Sequence, residues 1–362
     1  MARVEVLSAE QPSRWHEQLL KAGCTDVYFS PEYAGIFTAV DGGKPQLFVY
    51  EEDGRSLIYP FRLRQMPRTE QFSEFSEWFD ITSDYGYGGP FIRACREEEA
   101  LEFATKAVRS FGEYCKESRI VSEFCRFHPL INNALYMKNE YRPSLCNRTV
   151  WVDLTLQEED YWRQLRRNHR QDILRTEKAG VEIETSHCLE AADSFYRLYT
   201  DNMKHLGADP YYFFTPEFFH NTVRLLGGRV SIFLGRYGGD FIGGVLYICG
   251  EEFSHAHFSA TDRHFSYLRP TKLLHHHAVL WSKRRGLKRL HLGGGVDGSD
   301  TDALMHFKAG FSRLRADFYV ARRIHHREVY HKLCARVGVD PEAEGFFPAY
   351  RAINRRGQEE RE

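Results

Sequence analysis

The sequence of 362 residues lacks the marks of several large protein classes. Its eight cysteines include no C-x-x-C pair, which excludes a zinc ribbon and a thioredoxin-like motif and is typical of reduced cytoplasmic thiols. The longest nearly apolar run, Phe241–Cys249, is far too short to cross a bilayer. The first residues, Met1–Val6, contain no apolar core of a signal peptide. We therefore expect a cytoplasmic protein without a membrane span.

The sequence also has almost no net charge and lacks two common catalytic motifs. Lys and Arg number 49 against 50 Asp and Glu, and the isoelectric point is near 7.0. A protein dedicated to coating nucleic acid is usually basic, so we expect no DNA partner. There is neither a G-x-S-x-G elbow nor a P-loop. No carboxylate stands at ligand spacing from the histidines, so we expect no metal.

What is present is a globular composition, 42% hydrophobic and 14% aromatic, at a length that suits two domains or one large one. Two segments look alike: Leu47–Tyr59 and Ile232–Gly244 both read as strand, polar glycine turn and strand. Two interpretations stay open. Hairpins are common, or an α+β unit has been duplicated with a boundary near residues 145–155.

Three segments carry candidate chemistry. A single long helix is predicted over Glu158–Lys178, and its arginines Arg166 and Arg167 have the fork geometry that suits phosphate. Such a run is otherwise an ordinary solvated basic face. A second helix, Thr271–Arg285, follows a strand, so its first N–H groups and the preceding Arg269 suit an anion such as pyrophosphate.

The third segment is a glycine cluster that follows a strand, Gly293–Gly295, with Lys308 shortly after it. Glycines let the backbone approach a ligand closely. A lysine there could stabilise the negative charge that develops in acyl transfer. Alternatively, Lys308 is a surface residue that is favoured at the carboxyl end of its own short helix.

Four short motifs follow one another along the chain: Phe29–Tyr33 (F-S-P-E-Y), Tyr87–Pro90 (Y-G-G-P), Leu165–Val181 with its A-G-V ending, and His306–Phe311 (H-F-K-A-G-F). In this order they resemble motifs of the FemAB family of peptidoglycan-bridge aminoacyltransferases, within the GNAT acyltransferase superfamily. The resemblance implies an α+β fold of two tandem GNAT-like domains, each a mixed sheet flanked by helices. We expect the first domain over 1–148, the second, with the FemAB signature, over 149–335, and a C-terminal extension over 336–362.

The resemblance also implies roles for individual residues. Lys308, the lysine of the F-K signature, is the expected catalytic residue. The expected substrate-binding residues are Arg166, Arg167, Tyr267, Arg269, Gly293, Gly294, Phe307, Tyr87 and Gly88.

The implied function is transfer of an aminoacyl or acyl group onto an amine of a peptidoglycan or polysaccharide precursor, with a nucleotide-sugar or glycan-linked amine as acceptor. The donor is a co-substrate, aminoacyl-tRNA or acetyl-CoA, and no bound cofactor is expected. The turn at Arg269–Leu273 departs from the R-x-x-G-x-G/A loop of acetyl-CoA enzymes. Two alternatives stay open: an acetyl-CoA-dependent N-acetyltransferase, and a non-catalytic module that binds a phosphorylated glycan.

Overall fold

The computed structural model describes residues 2–93, 97–296 and 302–352. The chain forms two compact units. The first contains Met1–Cys24, Tyr28–Cys146 and Phe318–Glu362, and the second contains Thr25–Val27 and Asn147–Asp317. The change of unit after Cys146 falls next to the boundary expected from the sequence.

Strands of the first unit form one mixed sheet. They are β1 (Arg3–Ser8), β2 (Lys44–Glu52), β3 (Arg55–Gln65), β4 (Phe79–Thr82), β5 (Phe91–Ile92), β6 (Ile120–Arg126) and β13 (Arg315–Ile324). The order is β1-β2-β3-β4-β6-β13, with β5 beside β3. Only β4 and β6 are parallel neighbours. The helices are α1 (Pro12–Ala22), α2 (Pro31–Ile36), α3 (Thr38–Asp41), α4 (Glu97–Glu117), α5 (Ala134–Tyr141) and α12 (Arg327–Arg336).

The second unit repeats this arrangement. Its strands are β7 (Ser144–Asp153), β8 (Glu182–Ser186), β9 (Val230–Tyr237), β10 (Asp240–Cys249), β11 (Phe253–Thr261) and β12 (Arg289–Gly294), in the order β7-β12-β11-β10-β9-β8. Here β11 and β12 are the parallel neighbours. The helices are α6 (Glu158–Gln164), α7 (Arg167–Lys178), α8 (Leu189–Leu206), α9 (Pro216–Leu226), α10 (Pro270–Arg284) and α11 (Ala303–Lys308).

In each unit a helix connects the two parallel strands and supplies apolar side chains to the core. In the first unit, α4 places Phe111 against Phe48 and Tyr59 of the β2–β3 hairpin, and Phe103 against Tyr50. In the second, α10 contributes its own apolar residues, Leu273 among them, to the core cluster of β10 and β12. Both hairpins predicted from the sequence, β2–β3 and β9–β10, are present.

The carboxyl-terminal part of the described chain, 318–352, lies with the first unit, whereas the sequence led us to expect a second domain up to 335 and then an extension. Two contacts explain this placement: β13 pairs with β6, and the buried Asp80 binds residues near the end of the described chain. The Asp80 carboxylate accepts from Arg64 Nε at 2.7 Å, from the Tyr350 hydroxyl at 3.0 Å and from Arg351 Nε at 2.5 Å. Residues 353–362 of the expected extension lie outside the described residues.

None of the helices in the described ranges combines the length and the apolar character needed to cross a bilayer.

Candidate active site

The parallel strand pair of the second unit is open at one end. Phe253–His255 of β11 pair with Arg289–His291 of β12, and the ladder between these strands ends there. Nevertheless, β11 continues to Thr261 and β12 to Gly294. On its other side β12 pairs with β7, and that register shifts between His291 and Gly293. Such a bulge bends β12 locally. Beyond the last shared pair, β11 and β12 therefore leave a slot between them, where an extended ligand can form backbone hydrogen bonds.

Lys308 lies beside the last residue of β12. Asp302 caps α11: its Oδ1 accepts the Met305 N–H at 2.9 Å, and its Oδ2 accepts the Val296 N–H. The Lys308 ammonium donates to the Gly294 carbonyl at 2.6 Å. Burial lowers the pKa of Lys308 to about 8, although Asp302 acts in the opposite direction. A lysine whose ammonium is held by a neutral carbonyl, with a pKa near neutrality, is a common feature of functional sites.

The helix predicted over Glu158–Lys178 is wrong in one respect, because the chain breaks it into α6 and α7. Leu165 and Arg166 have extended backbones, with ψ of 140° and 146°. The break frees the Arg166 N–H, which donates to the Gly310 carbonyl at 2.9 Å. The Arg166 guanidinium donates to the His306 carbonyl at 3.2 Å and to His306 Nε2 at 2.8 Å. The break therefore binds α7 to the segment that carries Lys308.

Two buried histidines complete the surroundings of that segment. His169 of α7 bonds through Nε2 to the Phe307 carbonyl at 2.9 Å, and its ring lies 4.8 Å from that of Phe311. His275 of α10 contacts the rings of Phe307 and Phe311 and bonds the Tyr247 hydroxyl through Nδ1 at 2.5 Å. Burial lowers the pKa of His169 to about 4 and that of His275 to about 3. Both rings are therefore neutral at physiological pH.

Arg269, which we predicted as an anion-binding residue, already has an anionic partner in its own chain. Its Nη1 donates to both carboxylate oxygens of Asp172, at 2.7 and 2.6 Å, and Lys272 Nζ donates to the same group at 2.6 Å. Burial alone would raise the pKa of Asp172, but the bonds from Lys272 and Arg269 lower it. The two cations at the start of α10 thus clamp α7 to α10, and about half of the Arg269 side chain stays exposed.

A group of arginines gathers around Arg166. Burial lowers the pKa of Arg315, and the nearby charges of Arg166 and Arg148 lower it further. The Arg315 guanidinium donates to the carbonyls of Ser312 and Leu314, both at 3.1 Å. Arg148 Nε lies 3.5 Å from the carboxylate of Asp317. The repulsion between the arginines nevertheless favours an anion nearby.

The remaining predicted residues of this unit differ in placement. Gly293 has a left-handed φ of +78°, which favours glycine, and a Cβ on Gly294 would be crowded at 3.2 Å from the Arg148 carbonyl. Arg167 and Tyr267 are exposed, and within the described residues neither hydrogen-bonds to the Lys308 segment.

Tyr87 and Gly88 belong to the first unit. The Tyr87 ring meets those of Tyr28 and Phe318, with centroids 5.5 and 5.1 Å apart. The Gly88 carbonyl accepts from Asn133 Nδ2 at 2.8 Å. These contacts give the Y-G-G-P turn a packing role within its own unit, and its part in substrate binding stays a prediction.

Three residues of the site, His169, His275 and Asp172, were not among the residues predicted from the sequence. One signal was available: the glycine of the F-K-x-G-F motif. A Cβ on Gly310 would overlap the His169 ring. Glycine is needed at position 310 because the His169 ring packs directly against the backbone there.

Comparison with known proteins gives a family match within the second unit. Residues 163–309 match the family described as the acetyltransferase (GNAT) domain, a range that contains Arg166, His169, the open strand pair and Lys308. No curated protein sequence matches the chain.

Solved structures share the fold at low sequence identity. FemX covers 91% of this chain and 99% of its own, with 12% identity and a TM-score of 0.68. L-PGS from Bacillus licheniformis has 12% identity, a TM-score of 0.57 and coverages of 90% and 96%. The C-terminal DUF2156 domain of a protein assigned as a lysylphosphatidylglycerol synthetase in Agrobacterium fabrum has 13% identity, a TM-score of 0.56 and coverages of 93% and 99%.

These likenesses confirm the predicted fold class, an α+β chain of two tandem GNAT-like domains with mixed sheets. Residues 163–309 thus match the acetyltransferase (GNAT) domain family, in a chain whose fold is similar to that of FemX.

Proposed function

We propose that the chain is an N-acyltransferase that moves an acyl or aminoacyl group from an activated carrier onto an amine of a cell-envelope precursor. One observation carries the proposal: Lys308, with its lowered pKa, stands where the parallel pair β11–β12 is open. A slot between strands accepts an extended donor through its unpaired backbone groups. The ammonium at its end is suited to the charge that forms on the donor carbonyl oxygen.

In the proposed reaction the amine nitrogen bonds to the carbonyl carbon, and the ester or thioester bond then breaks with its electron pair leaving on the carrier. The amine loses one proton, which the leaving group or solvent takes up. Lys308 stabilises the oxyanion in its protonated form, which predominates below a pH of about 8. Positioning supplies much of the rate, since aminolysis of an activated ester is intrinsically favourable.

Two observations support an amine of a cell-envelope precursor as the acceptor. FemX and the lysylphosphatidylglycerol synthetases share this fold, and the name of the latter denotes a lysyl-bearing membrane lipid. In addition, the cations Arg148, Arg166 and Arg315 favour an anionic substrate, as a nucleotide-sugar or glycan-linked amine would be.

An acetyl-CoA-dependent N-acetyltransferase is the second candidate. It is favoured by the description of the matching family as an acetyltransferase domain. The Asp172 clamp on Arg269 and Lys272 weighs against a diphosphate at the start of α10, because both cations already face a carboxylate.

A donor screen tests both proposals. Purified protein is incubated with acetyl-CoA or with aminoacyl-tRNA, each against a panel of nucleotide-linked and glycan-linked amines, and the product masses are read by mass spectrometry. An added acetyl mass supports the second candidate, and an added aminoacyl mass supports aminoacyl transfer. Lys308→Ala should form product far more slowly, whereas Lys178→Ala, at an exposed lysine, should match the parent. Absence of product with every donor in the presence of folded protein would contradict the acyltransferase proposal.

A further inference from the structure

The segment that carries Lys308 has no long helix of its own to fix it. The helix α11 has six residues and ends at Lys308 itself. The direction of the ammonium therefore depends on what holds Phe307, directly before Lys308, and Gly310, two residues after it. Both are held from α7: the Arg166 N–H bonds the Gly310 carbonyl at 2.9 Å, and His169 bonds the Phe307 carbonyl at 2.9 Å.

His169 fits this task in three ways. It is 98% buried, so its hydrogen bond does not compete with water. Because a carbonyl only accepts, Nε2 must carry the proton, which fixes the tautomer. The ring also occupies the space that the missing Cβ of Gly310 leaves open, and it packs at 4.8 Å against Phe311. One side chain therefore defines the backbone both before and after Lys308.

We propose that His169 is a positioning residue: it holds the Phe307–Phe311 backbone so that the Lys308 ammonium stays at the Gly294 carbonyl at the end of β12. The expected effect of His169 on turnover rests on the proposed function. The position of the ammonium is a property of the protein alone. Charged or titratable groups that act on the segment and on His169 from the elements around them are Asp302, His275, Arg166, Lys272 and Asp172.

Paired variants separate the hydrogen bond from the volume of the ring. His169→Phe keeps an aromatic ring but removes the donor, and His169→Gln keeps a side-chain N–H. Since a displacement of about 1 Å at a reacting group costs roughly 100-fold, we expect His169→Phe to lower kcat by about 10- to 100-fold. We expect KM to change by less than about 2-fold and His169→Gln to recover kcat to within about 3-fold of the parent.

A second readout does not depend on activity. The pKa of Lys308, followed by NMR of the protein with 13C-methylated lysines and assigned with Lys308→Arg, should lie near 8 in the parent and rise toward 10.5 in His169→Phe as the ammonium becomes hydrated. His169→Gln should keep the lowered value. A shift without any transfer activity in the parent would contradict the proposed function and support the positioning role.

The proposal is wrong if His169→Phe leaves both kcat and the pKa of Lys308 at their parental values. It is also wrong if Gln and Phe lower kcat equally while the pKa of Lys308 stays near 8, because the effect would then reflect general packing. If His169→Phe does not fold, His169→Asn replaces it, since its shorter amide does not reach the Phe307 carbonyl. The same two readouts then decide.

Discussion

The two units share one strand order but differ at the parallel pair. In the first unit the pairing of β4 with β6 is prolonged beyond β4, because the Ser83 N–H bonds the Phe124 carbonyl at 3.0 Å and Gly88 bridges to Phe127. In the second unit β11 and β12 separate after three residue pairs. The same topology thus gives a closed parallel pair in one copy and an open slot in the other. The open copy is the one with a candidate active site.

The buried polar groups differ in the same sense. In the first unit they form charge pairs: Arg62, fully buried, binds Asp84, and Asp80 binds Arg64 and Arg351. The second unit also has one such pair, Asp172 with Arg269 and Lys272, but the Lys308 segment itself is packed by the neutral rings of His169 and His275. Buried pairs serve structure when every charge is matched, whereas a lysine whose ammonium is bound to a carbonyl keeps its charge available for chemistry.

The largest effect should come from breaking a pair of the first unit. Asp80→Ala leaves Arg64 and Arg351 without their carboxylate, so we expect a loss of about 3–5 kcal/mol in the free energy of unfolding, measured by urea denaturation. Glu113→Ala, at an exposed position of α4, is the matched control and should change stability little. If Asp80→Ala has the same free energy of unfolding as the parent, these buried charge pairs do not stabilise the first unit.

Next in size is the loss of the ammonium in the second unit. Lys308→Ala should lower kcat by about 100- to 1,000-fold, as loss of an oxyanion donor does, while its unfolding midpoint stays near that of the parent. Because the protonated form is active, kcat of the parent should fall as the pH rises through about 8. The residual activity of Lys308→Ala should not show this fall in kcat near pH 8. Equal turnover in Lys308→Ala and parent would overturn the assigned role.

Acid should weaken the second unit. The folded-state pKa values of His169, His257 and His275, about 4, 3 and 3, lie below the unfolded value of 6.5. The unfolded chain therefore takes up protons first, and the stabilisation that is complete above pH 6.5 is lost as the pH falls toward 4. The loss is up to about 1.4 kcal/mol per pH unit for each ring. Hydrogen exchange measured at pH 7 and at pH 5 should show this loss of stability as weaker amide protection in β10, β11 and α10. Equal protection at the two pH values would contradict the prediction that these histidine rings are neutral in the folded chain.

The smallest effect concerns substrate charge. Arg166→Gln should raise KM for an anionic acceptor by about 3- to 10-fold, as loss of one charge-assisted bond does. Arg163→Gln is the control, because Arg163 is exposed and pairs only with Asp160 among the described residues. A KM that stays constant in Arg166→Gln, or rises equally in both variants, would exclude a specific contact with the substrate.

Local sequence signals account for several elements because their causes are local. Ser30 caps α2 by accepting the Tyr33 N–H at 3.2 Å, and Thr215 caps α9 by accepting the Phe218 N–H at 3.4 Å. Pro31 and Pro216 follow at the first helical positions, where proline is favoured. Asp302 likewise caps the short helix before Lys308. Each of these is a contact within three residues, which a sequence shows directly.

The break between α6 and α7 could not be predicted in this way. Leu165 and Arg166 are ordinary helix formers, with no proline or glycine nearby. The helix ends there because Leu165 is buried in the core and because Arg166 finds a hydrogen-bond partner in Gly310, far along the chain. Tertiary contacts of this kind override helix propensity.

The sequence by itself determined the helix caps, the two glycine-turn hairpins and the order of motifs that places Lys308 after a glycine-ended strand. Tertiary structure alone decided that β11 and β12 part, that Asp172 occupies the cations at the start of α10, and that His169 holds the backbone around Lys308. The physical reason is range. Capping and turn formation are fixed by neighbouring residues, whereas burial, pKa and the direction of a side chain depend on groups that only folding brings together.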